Sequence, residues 1–124
     1  MTTLNLDENS SIYQIRAFQP GMIQINDITL TKSVIISPSQ LVQHWAPQSI
    51  TELSAQSLKI IIDMKPDVLL IGTGSEHVFL PAEIYGELIN HGIGVEVMET
   101  RAACRTFNAL SAENRNVVAA LIIK

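Results

Sequence analysis

From Ser49 onward, stretches of helical period give way repeatedly to short unbroken apolar runs, and that alternation limits the fold more than any other feature of the chain. Leu53, Ser57, Leu58, Ile61, Ile62 and Lys65 fall at i, i+4, i+5 and i+8 spacing. Ser49 or Thr51 can cap the amino end, so a helix ending before Pro66 is predicted. Asp67 to Ile71 reads as an apolar strand that needs cover on both faces. Pro81 to Asn90 reads as a second helix, with proline in its first turn, Gly92 just past its end, and Ile84, Leu88 and Ile89 as its buried face. Ile93 to Met98 is a strand, Thr100 to about Ser111 a third helix, and Asn116 to Ile123 a last apolar strand. Helix and strand in strict succession define an α/β protein. The strands at Val68 and Val95 are expected to be parallel neighbours joined by a right-handed crossover through the Pro81 helix. The short link from the third helix to the last strand also leaves room for an antiparallel insertion.

The amino-terminal third has a different rhythm. Ile12, Gln14, Arg16 and Phe18, then Ile23, Ile25, Ile28 and Leu30, then Val34 to Ile36, are separated by Pro20-Gly21, Asn26-Asp27 and Lys32-Ser33. Short β-branched segments between turn dipeptides predict antiparallel strands, with Asn26-Asp27 as a two-residue hairpin turn. "LVQHW", ending at Trp45, fits a short strand or a single helical turn before Pro47. Together these segments predict one twisted sheet with helices on at least one face, the amino-terminal strands extending it or forming a small second layer.

A chain of 124 residues with 47% hydrophobic content buries one substantial core, so residues 1–124 are expected to form a single domain. A net charge of −4, with eight Lys and Arg scattered along the chain, provides no basic stripe for a phosphate backbone, which argues against nucleic acid as a partner. The first fifteen residues carry Asp7 and Glu8 and no Lys or Arg, unlike an export signal or transit peptide. The longest apolar run, Val117 to Ile123, falls far short of the roughly 20 residues of a membrane span. Cys104 is the only cysteine, and His44, His77 and His91 lack metal-ligand spacing. A cytoplasmic protein without metal or cofactor is the expectation.

Gly72-Thr73-Gly74 follows a strand, as a dinucleotide fingerprint would, but the third glycine is replaced by His77 and the helix begins late, at Pro81. A Walker loop is absent, since no Gly-Lys-Ser or Gly-Lys-Thr occurs. A simpler anion site remains open. Backbone N–H groups of Gly72, Thr73 and Gly74, with the hydroxyls of Thr73 and Ser75, would face Thr100, Arg101 and Arg105 across the carboxyl ends of two parallel strands. The alternative is a tight turn with arginines that only meet solvent or Glu99. Cys104 shares a helical stripe with Ala103, Phe107 and Leu110, which makes it a buried apolar residue or, with a base supplied from elsewhere, a nucleophile. Asn108, one turn on, can anchor a neighbouring loop. Glu76, His77 and Glu83 are acid–base candidates or ordinary surface charge.

"LLIGTG" at Leu69–Gly74, "GIGVEVMET" at Gly92–Thr100 and "AACRTFNALSAENRNVVAALI" at Ala102–Ile122 resemble the family of uncharacterised small α/β proteins that includes the mitochondrial complex I (NADH:ubiquinone oxidoreductase) assembly factor 3. The resemblance spans nearly the whole chain. It implies a three-layer fold around a central mixed sheet, with the last strand antiparallel to its neighbours, and it implies no known reaction. Two functional classes follow. One is a non-catalytic, assembly-factor-like protein that holds a protein partner by an apolar or edge-strand surface. The other is a small-molecule or anion-binding protein, enzymatic or not, with its cleft between the Gly72–Gly74 turn and the Thr100–Arg105 helix start.

Overall fold

The computed structural model describes residues 12–124, so Asp7 and Glu8, on which the reading of the amino terminus rests, lie outside the described residues. The turn dipeptides set the first three strands. β1 (Ile15–Gln19) turns through Pro20-Gly21 into β2 (Met22–Ile25), and β2 turns through Asn26-Asp27 into β3 (Ile28–Leu30), giving an antiparallel sheet in the order β1-β2-β3. Asn26 accepts a left-handed φ of 51°, and its side chain repays the strain by donating to Ile12 O and accepting from Gln14 N. Along β1 the pairing passes from Ile15↔Ile25 to Ala17↔Gln24, so Arg16 is the extra residue of a β-bulge.

β4 (Val34–Ile36) and β5 (Leu41–Val42) leave this small sheet and join a second one. The five-stranded sheet is completed by β6 (Val68–Gly72), β7 (Gly94–Met98) and β8 (Val117–Leu121), in the order β5-β4-β8-β6-β7. β6 runs parallel to β7 and β8, whereas β4 is antiparallel to β8 and to β5. The sheet is therefore mixed, as expected. The last strand departs from the expected orientation: it is antiparallel only to β4 and parallel to β6. A helix that crosses back over the sheet from the far end of β7 delivers β8 in the same direction as β6, which is the ordinary outcome of a crossover.

Strict alternation divides the core in two. Val34, Ile36, Val68, Leu70, Val117, Ala119, Leu121 and Ile123 face one layer; Ile35, Leu69, Ile71, Val118, Ala120 and Ile122 face the other. The first layer holds α3 (Thr100–Ala112) and the β1-β2-β3 sheet, with Phe107, Ile23 and Ile25 fully buried between them and the central strands. The second holds α1 (Lys59–Met64), α2 (Ala82–Asn90) and the segment around Trp45 and Leu53. This is a three-layer fold.

Two local expectations are corrected. The helix predicted from Ser49 forms only as two 3-10 turns, Ile50–Glu52 and Gln56–Leu58, followed by the short α1. Ser54 and Ser57 hydrogen-bond each other's backbone, and Trp45 Nε1 donates to Ser57 O at 2.8 Å, so groups that a helix would use are engaged locally. On α2, Leu88 is buried and Ile84 half-buried, but Ile89 is exposed; Tyr85 takes its place in the packed stripe. Pro81, extended at ψ 150°, is the residue before that helix, and Gly92 follows it with a φ of 81°.

Because Phe107 is 0% exposed and fills the space between the two sheets, Phe107→Ala is expected to cost about 3–5 kcal/mol of stability. Urea unfolding followed by circular dichroism measures it.

Candidate functional site

The carboxyl ends of β6, β7 and β8 meet the start of α3, and the junction is built around one hydroxyl. Thr100 is 0% exposed. Its Oγ1 accepts a hydrogen bond from Gly74 N at 2.8 Å and donates to Ile122 O at 2.5 Å, while its backbone N–H donates to Gly74 O at 2.9 Å. Ile122 N donates to Gly72 O, and Thr73 N to Met98 O, so three strand ends are joined within one turn of backbone. Thr73 is itself buried, and its hydroxyl lies against the carbonyls of Glu76 and Met98.

This arrangement explains the glycines. A Cβ on Gly72 would stand 2.8 Å from Thr100 Oγ1 and 3.1 Å from Thr100 Cα, so only glycine lets the helix start approach the strand. Gly74 has a φ of 100°, and a side chain there would meet Lys124 O at 3.0 Å. The hydroxyls of Thr73 and Thr100 and the N–H groups of Thr73 and Gly74 are thus engaged within the protein. Of the residues singled out at the turn, Ser75 alone is exposed.

Arg101 and Arg105, one helical turn apart on α3, are also exposed and share one groove, and Arg101 borders a second space as well. Arg101 lines a cavity of about 170 Å³ together with Gly74, Ser75, Glu99 and Lys124. Arg105 does not; it lines a groove of about 230 Å³ between α3 and β1, where Arg101 also contributes and where Arg16, Phe18, Cys104 and Asn108 complete the wall. The guanidinium of Arg101 lies 5.1 Å from the centre of the Phe18 ring, a cation–π contact that holds it between the two spaces.

Asn108 ties the groove together. Its amide accepts from Ile15 N at 3.1 Å and donates to Ile15 O at 2.7 Å, clamping β1 onto α3 immediately before the bulge at Arg16. Sequence reasoning found an anchoring role for Asn108 but not Arg16, because a bulge is visible only in the pairing register. Cys104 is 4% exposed, and burial pushes its thiol from the ordinary 9.0 up to about 12, with nearby Arg101 opposing the shift. At neutral pH the sulfur is a protonated, apolar part of the core rather than a thiolate. Among the described residues no three His, Cys, Asp or Glu side chains are grouped to hold a metal ion, and no helix is long and apolar enough to cross a membrane.

Comparison with known proteins places this geometry in a wider set. A family model described as "Protein of unknown function (DUF498/DUF598)" matches residues 15–122. A zebrafish (Danio rerio) protein named NADH dehydrogenase [ubiquinone] 1 alpha subcomplex assembly factor 3 is 38% identical over 110 residues, covering 87% of this chain and 63% of its own length. The chain thus spans less than two thirds of that relative. A Francisella tularensis protein named 13 kDa major membrane protein is 28% identical over 123 residues, covering 98% of this chain and all of its own. A crystal structure of a Bordetella parapertussis protein superposes with a TM-score of 0.86 at 34% identity, covering 92% of this chain and 98% of the other.

Two outcomes follow from the junction. Thr100→Val keeps the shape but leaves Gly74 N and Ile122 O without their partner, and is expected to cost about 2–4 kcal/mol, whereas Thr100→Ser restores most of it; thermal or urea denaturation of the pair measures the difference. At pH 8, alkylation of Cys104 by iodoacetamide is expected to be about a thousandfold slower in the native protein than in urea, from the loss of thiolate alone.

Proposed function

The chain belongs to the DUF498/DUF598 family of proteins of unknown function, and from that membership we propose that it is an assembly-factor-like protein that acts without catalysis by holding a protein partner. Relatives named as complex I assembly factor 3 support the assembly part of this reading, although they are longer than this chain. The observation that carries the rest is Phe79. It is 83% exposed in the loop between β6 and α2, flanked by the buried Leu80. A large aromatic ring held in water by a short loop is the kind of residue that anchors protein interfaces, since its burial by a partner recovers apolar area that folding leaves unused.

The sheet offers a second element for the same purpose. Among the described residues β7 is an edge strand, paired on one side with β6, and its other side presents backbone N–H and C=O groups that can accept an extended segment. Glu96, at the middle of β7, is exposed and discourages pairing of two copies through that edge. The cytoplasm is the location we assign, from a sequence whose single cysteine makes no internal disulfide.

Phe79→Ser tests the reading. The tagged wild-type chain, purified from its native cells, is expected to retain a partner at fixed stoichiometry, and the variant to lose at least about tenfold of it while melting at the same temperature. Equal retention by the variant, or no stoichiometric partner in quantitative mass spectrometry, refutes it.

A further inference from the structure

The groove between β1 and α3 gathers three of the chain's cations in a protein whose net charge is −4. Arg101 and Arg105 project from one face of α3 at i and i+4, and Arg16 comes from the strand opposite. Among the described residues no carboxylate lines the groove, and none of the three guanidiniums has an ion-pair partner. Like charges at i and i+4 destabilise a helix, and a third brought against them adds to that cost unless an anion neutralises them.

Two features show that the third charge is placed rather than scattered. Arg16 is the extra residue of the β-bulge, the device by which a strand re-aims a side chain. The bulge begins at Ile15, the residue whose N–H and C=O are both held by the Asn108 amide on α3. The same helix therefore supplies two arginines and fixes the position of the strand that supplies the other. Phe18 adds a further constraint, because its ring holds the Arg101 guanidinium at 5.1 Å.

We propose that this groove binds a small phosphate monoester, its phosphate held by Arg16, Arg101 and Arg105. Guanidinium forks match phosphate oxygens bidentately, and forks arriving from a strand and from two positions on a helix suit a tetrahedral group better than a planar carboxylate. The groove volume of about 230 Å³ exceeds what a phosphate group fills, and Ile15, Ala17 and Phe18 give its remaining wall an apolar character suited to an organic body. The thiol of Cys104 lines the same groove, protonated, and takes no part in the charge recognition. The Gly72–Gly74 turn is not part of the site. This site is separate from Phe79, so its fate and that of the partner reading are independent.

Phenyl phosphate is the probe, titrated calorimetrically into the full chain at constant ionic strength. The expected dissociation constant is below about 1 mM, and Arg16→Gln and Arg105→Gln, both at exposed positions, each weaken it about tenfold or more without lowering the unliganded melting temperature, which relief of the charge repulsion raises if it moves at all. Lys32→Gln, on a different exposed turn, leaves it unchanged. A second readout is pH: the second ionisation of a phosphate monoester lies near pH 6, so its affinity rises between about pH 5.5 and 7.5, while that of sulfate, a dianion throughout, stays flat. No saturable heat up to about 20 mM, roughly twenty times the expected constant, or equal affinity in the two arginine variants, overturns the proposal.

Discussion

The hydroxyl of Thr100 is the constraint from which most of the molecule's geometry follows. A buried hydroxyl must find both a donor and an acceptor, and it finds them in Gly74 N and Ile122 O, groups that belong to two different strand ends. The approach is close only because Gly72 lacks a side chain. Once the start of α3 is seated there, its register over the sheet is set. Phe107 then falls two turns on in the space between the sheets, and Asn108 meets the backbone of Ile15. The position of the β1-β2-β3 sheet is thus inherited from a contact at the opposite end of the helix.

How much of this the residues revealed depended on the range of the interactions involved. Pro81, Gly92 and Asn26-Asp27 act through local backbone geometry, and the helix and hairpin they mark are present. The alternation of apolar runs disclosed the α/β class and the parallel pairing of β6 with β7, whereas the central mixed sheet was implied by the family resemblance and not by the pattern. The helix expected from Ser49 failed because Ser54, Ser57 and Trp45 compete for its hydrogen bonds, and that competition needs the ring of a residue outside the periodic stretch. The direction of the last strand depended on which neighbours it would separate, which no local pattern encodes.

The candidate site illustrates the same division. Glycines at the end of a strand signal either a ligand or a close approach of backbone, and composition does not tell these apart. Here Gly72 meets Thr100. Arg101 and Arg105 were visible as neighbours on a helix, but the space each faces depends on β1, more than eighty residues away in the chain. Arg16 gave no signal at all, since its meaning lies in one displaced register step between Ile15 and Ala17.

The order of the central sheet has a consequence for the making of the protein. β8, last in the chain, lies between β4 and β6 and pairs with both. Until residues 117–121 have been synthesised, β4 and β6 have no strand between them, and each presents an open edge to the cell. The sheet cannot grow outward from its earliest strands in step with translation; it closes around an insertion. The interval between the emergence of β4 and the arrival of β8 is therefore when the nascent chain is most exposed to wrong pairings, and a chaperone that shields it needs to act during that interval and not afterwards.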